Sequence, residues 1–95
     1  MDWRFDQDQN AAAITTRQVI RDNLPILCVI HYSDDHSWAF TCGTTNESED
    51  AMIVGMGEIL ERDSSLHEIA DLPTGWSAHR ESVGGKWFWK ENKDV

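Results

Sequence analysis

The sequence predicts an α+β domain: an antiparallel sheet of about four strands, built from two hairpins, with two or three helices packed on one face. Three observations lead there. Residues 26–32 form a dense apolar run and residues 37–43 alternate large with small side chains, with turn residues between them. A second alternating pair of segments flanks Gly84-Gly85. Between the two hairpins, Met52, Ile53, Met56, Ile59 and Leu60 recur at helical spacing.

Taken in order, residues 1–13 are mixed and polar and read as a mobile arm, or as a short strand around Trp3 and Phe5. Thr15 or Thr16 caps a short helix over residues 17–23, which Leu24-Pro25 ends because the residue before proline is pushed out of the α region. The first hairpin follows. A five-residue loop centred on Asp35 pairs Tyr32 with Trp38, Ile30 with Phe40 and Cys28 with Cys42, so that all six side chains share one face.

Residues 44–50 are polar and acidic and lead into a helix over residues 50–62, where early carboxylates suit the positive end of the helix dipole. Gly55 and Gly57 weaken that helix by about 1 kcal/mol each, or mark a late start. Ser64 or Ser65 caps a further turn through Leu66, Ile69 and Leu72. The second hairpin pairs residues 76–81 with residues 86–90 around Gly84-Gly85, which places Arg80 opposite Trp89 and Glu81 opposite Phe88. Residues 91–95 form a charged tail, and residues 1–95 make one domain.

Seventeen acidic residues against eight basic ones give a formal charge of −9. Nucleic acid and anionic lipid select basic surfaces, so neither is expected as a partner, whereas a basic protein is. No apolar stretch approaches the length of a membrane span, and the first residues carry no signal-peptide pattern. The expected location is the cytoplasm, as a monomer or a weak homodimer.

Reactive constellations are sparse. His31, His36, His67 and His79 with Cys28 and Cys42 lack every common zinc-ligand spacing, so no metal is expected. Cys28 and His31 are three apart on a strand and point to opposite faces. The register above instead sets Cys28 against Cys42, where two buried thiols, or on oxidation a strained cross-strand disulfide, would result. Gly55-Met56-Gly57 starts a dinucleotide-type pattern that Leu60 ends, so no cofactor is expected. Catalytic residues are accordingly assigned to none.

Partner binding is the reading that remains. Glu47, Glu49, Asp50, Glu58 and Glu61 make the densest negative region, joined by Asp34 and Asp35 if the first hairpin tip lies nearby. In the second hairpin Trp76, Trp87 and Trp89 share one face, and Phe88 lies on the other with His79 and Glu81 beside it. The alternative is a small-ligand binder or small enzyme that uses a cleft by this Trp-rich hairpin, with His79 and Glu81 as its polar groups. Self-association through an open sheet edge is a third possibility.

From Pro25 to about Glu91 the chain resembles a family of small bacterial domains of unknown function, some of them associated with immunity to polymorphic toxins. The likeness lies in the strand Ile26-Leu27-Cys28-Val29-Ile30, in Trp38-Ala39-Phe40, in Glu58-Ile59-Leu60, and in Leu72-Pro73-Thr74-Gly75-Trp76-Ser77-Ala78 before an aromatic strand. The resemblance implies non-catalytic protein binding, and it brings no catalytic residues. The segment between the second strand and the helix is shorter here than in that family.

Overall fold

The structure, a computed structural model, describes residues 3–43 and 48–92. Its elements run β1 (Ala12–Thr16), α1 (Arg17–Ile20), β2 (Cys28–His31), β3 (Trp38–Thr41), a 3-10 turn (Ser48–Asp50), β4 (Ala51–Gly55), α2 (Met56–Arg62), a 3-10 helix (Ser64–Ile69), β5 (Trp76–His79) and β6 (Phe88–Glu91). The strands form one sheet in the order β4-β1-β3-β2-β5-β6. β1 and β3 run parallel, and the other neighbours are antiparallel.

This corrects the expected four-stranded antiparallel sheet packed with helices. The sheet is mixed and six strands wide, and helix is scarce. The two added strands come from segments whose local signals point elsewhere. Ile14, Thr15 and Thr16 are β-branched and continue β1, although they follow three alanines. Residues 51–55 carry two of the five residues of the apparent helical stripe, Met52 and Ile53, yet Ile53-Val54 is a β-branched pair followed by a glycine. They pair with β1 from Ala12↔Gly55 to Thr16↔Ala51. The helix therefore begins at Met56. Pairing with a long-range neighbour outweighs a weak helical preference. Gly57 also has a packing role: its N–H donates to the Gln9 carbonyl at 2.9 Å, and a Cβ there would sit 3.3 Å from that oxygen.

The first hairpin is shifted by one residue from the expected register. His31 pairs with Trp38, Val29 with Phe40 and Cys28 with Thr41. The Tyr32 N–H donates to the Ser37 carbonyl, so the loop holds four residues, 33–36, rather than five. His36 takes the left-handed conformation that this tighter turn needs (φ 61°). Because side chains alternate, the slip sends Cys28, Ile30 and Tyr32 to one face and Trp38, Phe40 and Cys42 to the other. Cys28 and Cys42 do not face each other.

The second hairpin slips by two residues. Phe88 pairs with His79 and Trp89 with Ala78, leaving residues 80–87 as the loop. A slip of two preserves the faces, so Phe88 lies opposite to Trp76 and Trp89, as the alternation implies. Arg80 leaves the β5–β6 ladder to bond elsewhere, its N–H donating to the Leu27 carbonyl.

One face of the sheet builds the core. Ala13, Thr15, Val29, Phe40, Trp38 and Ala78 on the strands meet Phe5, Val19, Met56, Ile59, Leu60, Leu66, Ile69 and Leu72 from the segments that cover them. The N-terminal segment is part of this cover. The Phe5 ring meets Trp38 edge-on at 4.8 Å, and the Asp6 carboxylate accepts the Trp38 indole N–H at 3.1 Å.

Candidate functional site

The other face of the sheet carries no helix among the described residues. Direct pairings align a transverse row on it: Ile53 on β4, Ile14 on β1, Ala39 on β3, Ile30 on β2, Ser77 on β5 and Lys90 on β6. With strands about 4.8 Å apart, the apolar part from Ile53 to Ile30 spans about 14 Å. Ile53 is 67% exposed, although it sits in mid-strand. Ile14 and Ile30 are half-buried, and they flank Ala39, which is buried. A second row, Thr41, Cys28, His79 and Phe88, lies beside the first. Phe88 is 49% exposed and stacks on the His79 ring at 5.5 Å, with the Lys86 ammonium 5.8 Å from its ring centre.

The expected partner-binding residues divide between the two sides of the sheet. His79 and Phe88 come together on the open face. Glu58 and Glu61 are exposed on α2, whose inner residues pack on the opposite face, so they cannot share one flat site with Phe88. Glu81 is exposed in the loop after β5 and is not opposite Phe88. Glu49 is exposed in the 3-10 turn before β4, and its carbonyl accepts from Arg17 at 2.9 Å. Asp50 accepts from Gln18 and lies 3.9 Å from the Arg17 guanidinium. Glu47 lies outside the described residues. Asp34 and Asp35 do not join this region: the strand directions put the β2–β3 turn at one end of the sheet and the start of β4 at the other.

Ile14, Ile30, Ile53 and Ala39 are the part of this surface that sequence reasoning missed. The usable signal was the β-branched content of residues 14–16 and 53–54, which the flanking alanines and the helical spacing obscured.

The thiols are poorly placed for chemistry. Cys28 is half-buried on the open face, and burial pushes its pKa up, against a smaller opposing effect of its hydrogen bond with Thr41. Cys42 is buried in the core. His31 lies in the core with Nδ1 2.8 Å from the Leu72 carbonyl and its ring stacked on Trp38. Among the described residues no three His, Cys, Asp or Glu side chains converge as metal ligands, and no helix is long and apolar enough to cross a membrane.

A cavity of about 430 Å³ lies beside the second hairpin loop, lined by Val19, Asn23, Leu24, Arg62, Asp63 and Val83 among others. Its polar groups are engaged with the protein. Arg62 donates to the carbonyls of Val19 and Ile20 and to Asn23 Oδ1. Asp63 holds Arg80 and Ser65. Neither His79 nor Glu81 lines it. No protein-family model, no curated protein and no solved structure matches the chain.

Proposed function

We propose that the protein is a non-catalytic binding domain that docks a basic protein on the open face of its sheet. The observation that carries this reading is the row Ile53, Ile14, Ala39, Ile30, an apolar band that no described element covers. Water-facing sheet surfaces normally carry polar side chains, and a contiguous apolar band marks an interaction site. Phe88 and His79 extend the band toward β6, where an aromatic side chain gives a partner a large contact. The partner's charge follows from the −9 of the chain, which attracts a basic molecule and opposes a second copy. The likeness to toxin-immunity domains supports neutralisation as the purpose of such binding.

The test is retention of a basic protein from the native cell by the immobilised domain, compared with Ile53→Asp. Ile53 is exposed, so the variant should melt like the parent while losing retention by about tenfold or more. Equal retention by both proteins would remove the sheet face as the site. Association only with a second copy, seen by sedimentation, would replace the basic partner with self-assembly.

A further inference from the structure

β4 is an end strand of the sheet, with β1 on one side and no described element on the other. Its ladder fixes which way its backbone points. The Met56 N–H donates to the Ala11 carbonyl, so these two residues form a hydrogen-bonded pair. In an antiparallel ladder such pairs alternate with non-bonded ones. Val54 and Met52 therefore bond to Ala13 and Thr15, while the backbone N–H and C=O groups of Ala51, Ile53 and Gly55 point away from β1. The Ile53 side chain beside them is 67% exposed.

The two edges of the sheet are guarded unequally. β6, at the other end, carries Lys90 and Glu91 in a strand exposed throughout, with Lys86 just before it. Charged side chains, lysine above all, discourage an edge strand from pairing. Ala51-Met52-Ile53-Val54-Gly55 has no charge, no proline and a β-branched centre. Five uncharged residues on an edge, in a chain of which 26% is charged, make a template for an added strand.

We propose that β4 receives an extended segment of the basic partner as a further, antiparallel strand in which apolar and basic side chains alternate. The inference rests on the sheet-face reading and specifies how the partner is held. A residue directly opposite Ile53 puts its side chain on the open face, where an apolar group lengthens the row that runs from Ile53 to Ile30. Its neighbours along the segment project to the side that carries α2, with Glu58 and Glu61 exposed on that helix and Glu49 exposed just before β4. Lysine or arginine at those positions complements this charge. A second copy fits worse. Paired about a two-fold axis at Ile53, it would bring the Glu49 end of each β4 against the Glu58 end of the other, and set −9 against −9.

The test is an NMR titration of the full chain with an acetylated, amidated peptide of about eight residues that alternates valine with lysine, following the Ile53 amide. Saturable shifts should appear by about 1 mM, together with protection of that amide from hydrogen exchange, since it points away from β1. The same peptide with glutamate in place of lysine should bind at least about tenfold more weakly. N-methylation of the valines, which lie opposite Ile53 and bond to β4, should abolish binding, whereas N-methylation of the lysines should change it less than about threefold. On the protein, Ile53→Pro removes the outward N–H, while Ile53→Thr keeps it, so the proline variant should lose at least about tenfold more affinity. Equal binding of the two methylated peptides, equal binding of the glutamate peptide, or no saturation would each overturn the proposal. Retention of the native partner that falls in Ile53→Asp but is equal in Ile53→Pro and Ile53→Thr would remove the edge and leave the sheet-face reading standing.

Discussion

Arg80 and Asp63 form an ion pair in which the guanidinium is fully enclosed while the carboxylate stays partly exposed. Arg80 also donates to the Ile26 carbonyl through Nε and Nη2 and to Ser65 Oγ, and it lies 4.3 Å from the centre of the Trp87 ring. One side chain thus joins the end of β5 to the segment before β2 and to the start of the 3-10 helix. Asp63→Asn would leave an enclosed positive charge with no counter-ion. It should cost about 3 kcal/mol of unfolding free energy in a urea titration, whereas Glu58→Gln on the exposed side of α2 should stay within about 0.5 kcal/mol. Similar values for the two would show that the pair is structurally idle.

The same carboxylate gives the fold an acid limb. Burial alone would raise the Asp63 pKa, but hydrogen bonds from Ser65 and Arg80, with the charge of Arg80, outweigh it and hold the group below its ordinary value. A group depressed in the folded state adds stability above its unfolded pKa, which is about 3.9, and loses it as pH falls through the folded one. Stability should therefore decline below about pH 4, and Asp63→Asn should flatten part of that decline. Parallel pH curves for parent and variant would contradict this.

The cysteines should remain reduced and slow to react. Cys28 and Cys42 lie on opposite faces of the sheet, and burial raises the Cys28 thiol above its ordinary pKa, so little thiolate forms near neutrality. Iodoacetamide at neutral pH should modify Cys28 slowly and Cys42 only on unfolding, as read by peptide mass spectrometry. Rapid labelling of Cys42 would mean that it is not buried, and an intramolecular disulfide after air oxidation would mean that the hairpin takes the other register.

Ile53 and Ile59, six residues apart, should respond oppositely to truncation. Ile59 is fully buried on the inner side of α2, so Ile59→Ala should cost about 2–4 kcal/mol. Ile53 faces outward, so Ile53→Thr, which keeps a β-branched residue, should stay within about 0.5 kcal/mol. Had residues 50–62 formed one helix, both positions would lie on its buried stripe and both truncations would be costly.

Only the Phe88 and His79 end of the candidate surface was legible, and the carboxylates were legible as a group but not in their placement. The placement of Phe88 opposite to Trp76 and Trp89 survives a two-residue shift of the hairpin, because the face of a strand residue depends only on parity. The first hairpin shifted by one, and the same rule then reversed half of its side chains. The carboxylates were found as a group along the chain, yet the sheet separates Glu61 from Phe88 and the strand directions separate Asp34 from Glu49.

The amino-acid sequence by itself determined the apolar strands around Val29 and Phe40, the turn chemistry near Asp35, the strongly negative charge and the lack of a zinc-ligand spacing, because the charge is a plain sum over the residues and the others depend on spacing along the chain. Only the tertiary structure decided that residues 51–55 are a strand, that β1 lies parallel to β3, and that Ile14, Ile30 and Ile53 line up on an open face. The physical reason is that a strand is completed by a neighbour distant in sequence. Local preference at Ala12–Thr16 and Ala51–Gly55 is weak enough for that pairing to choose the conformation.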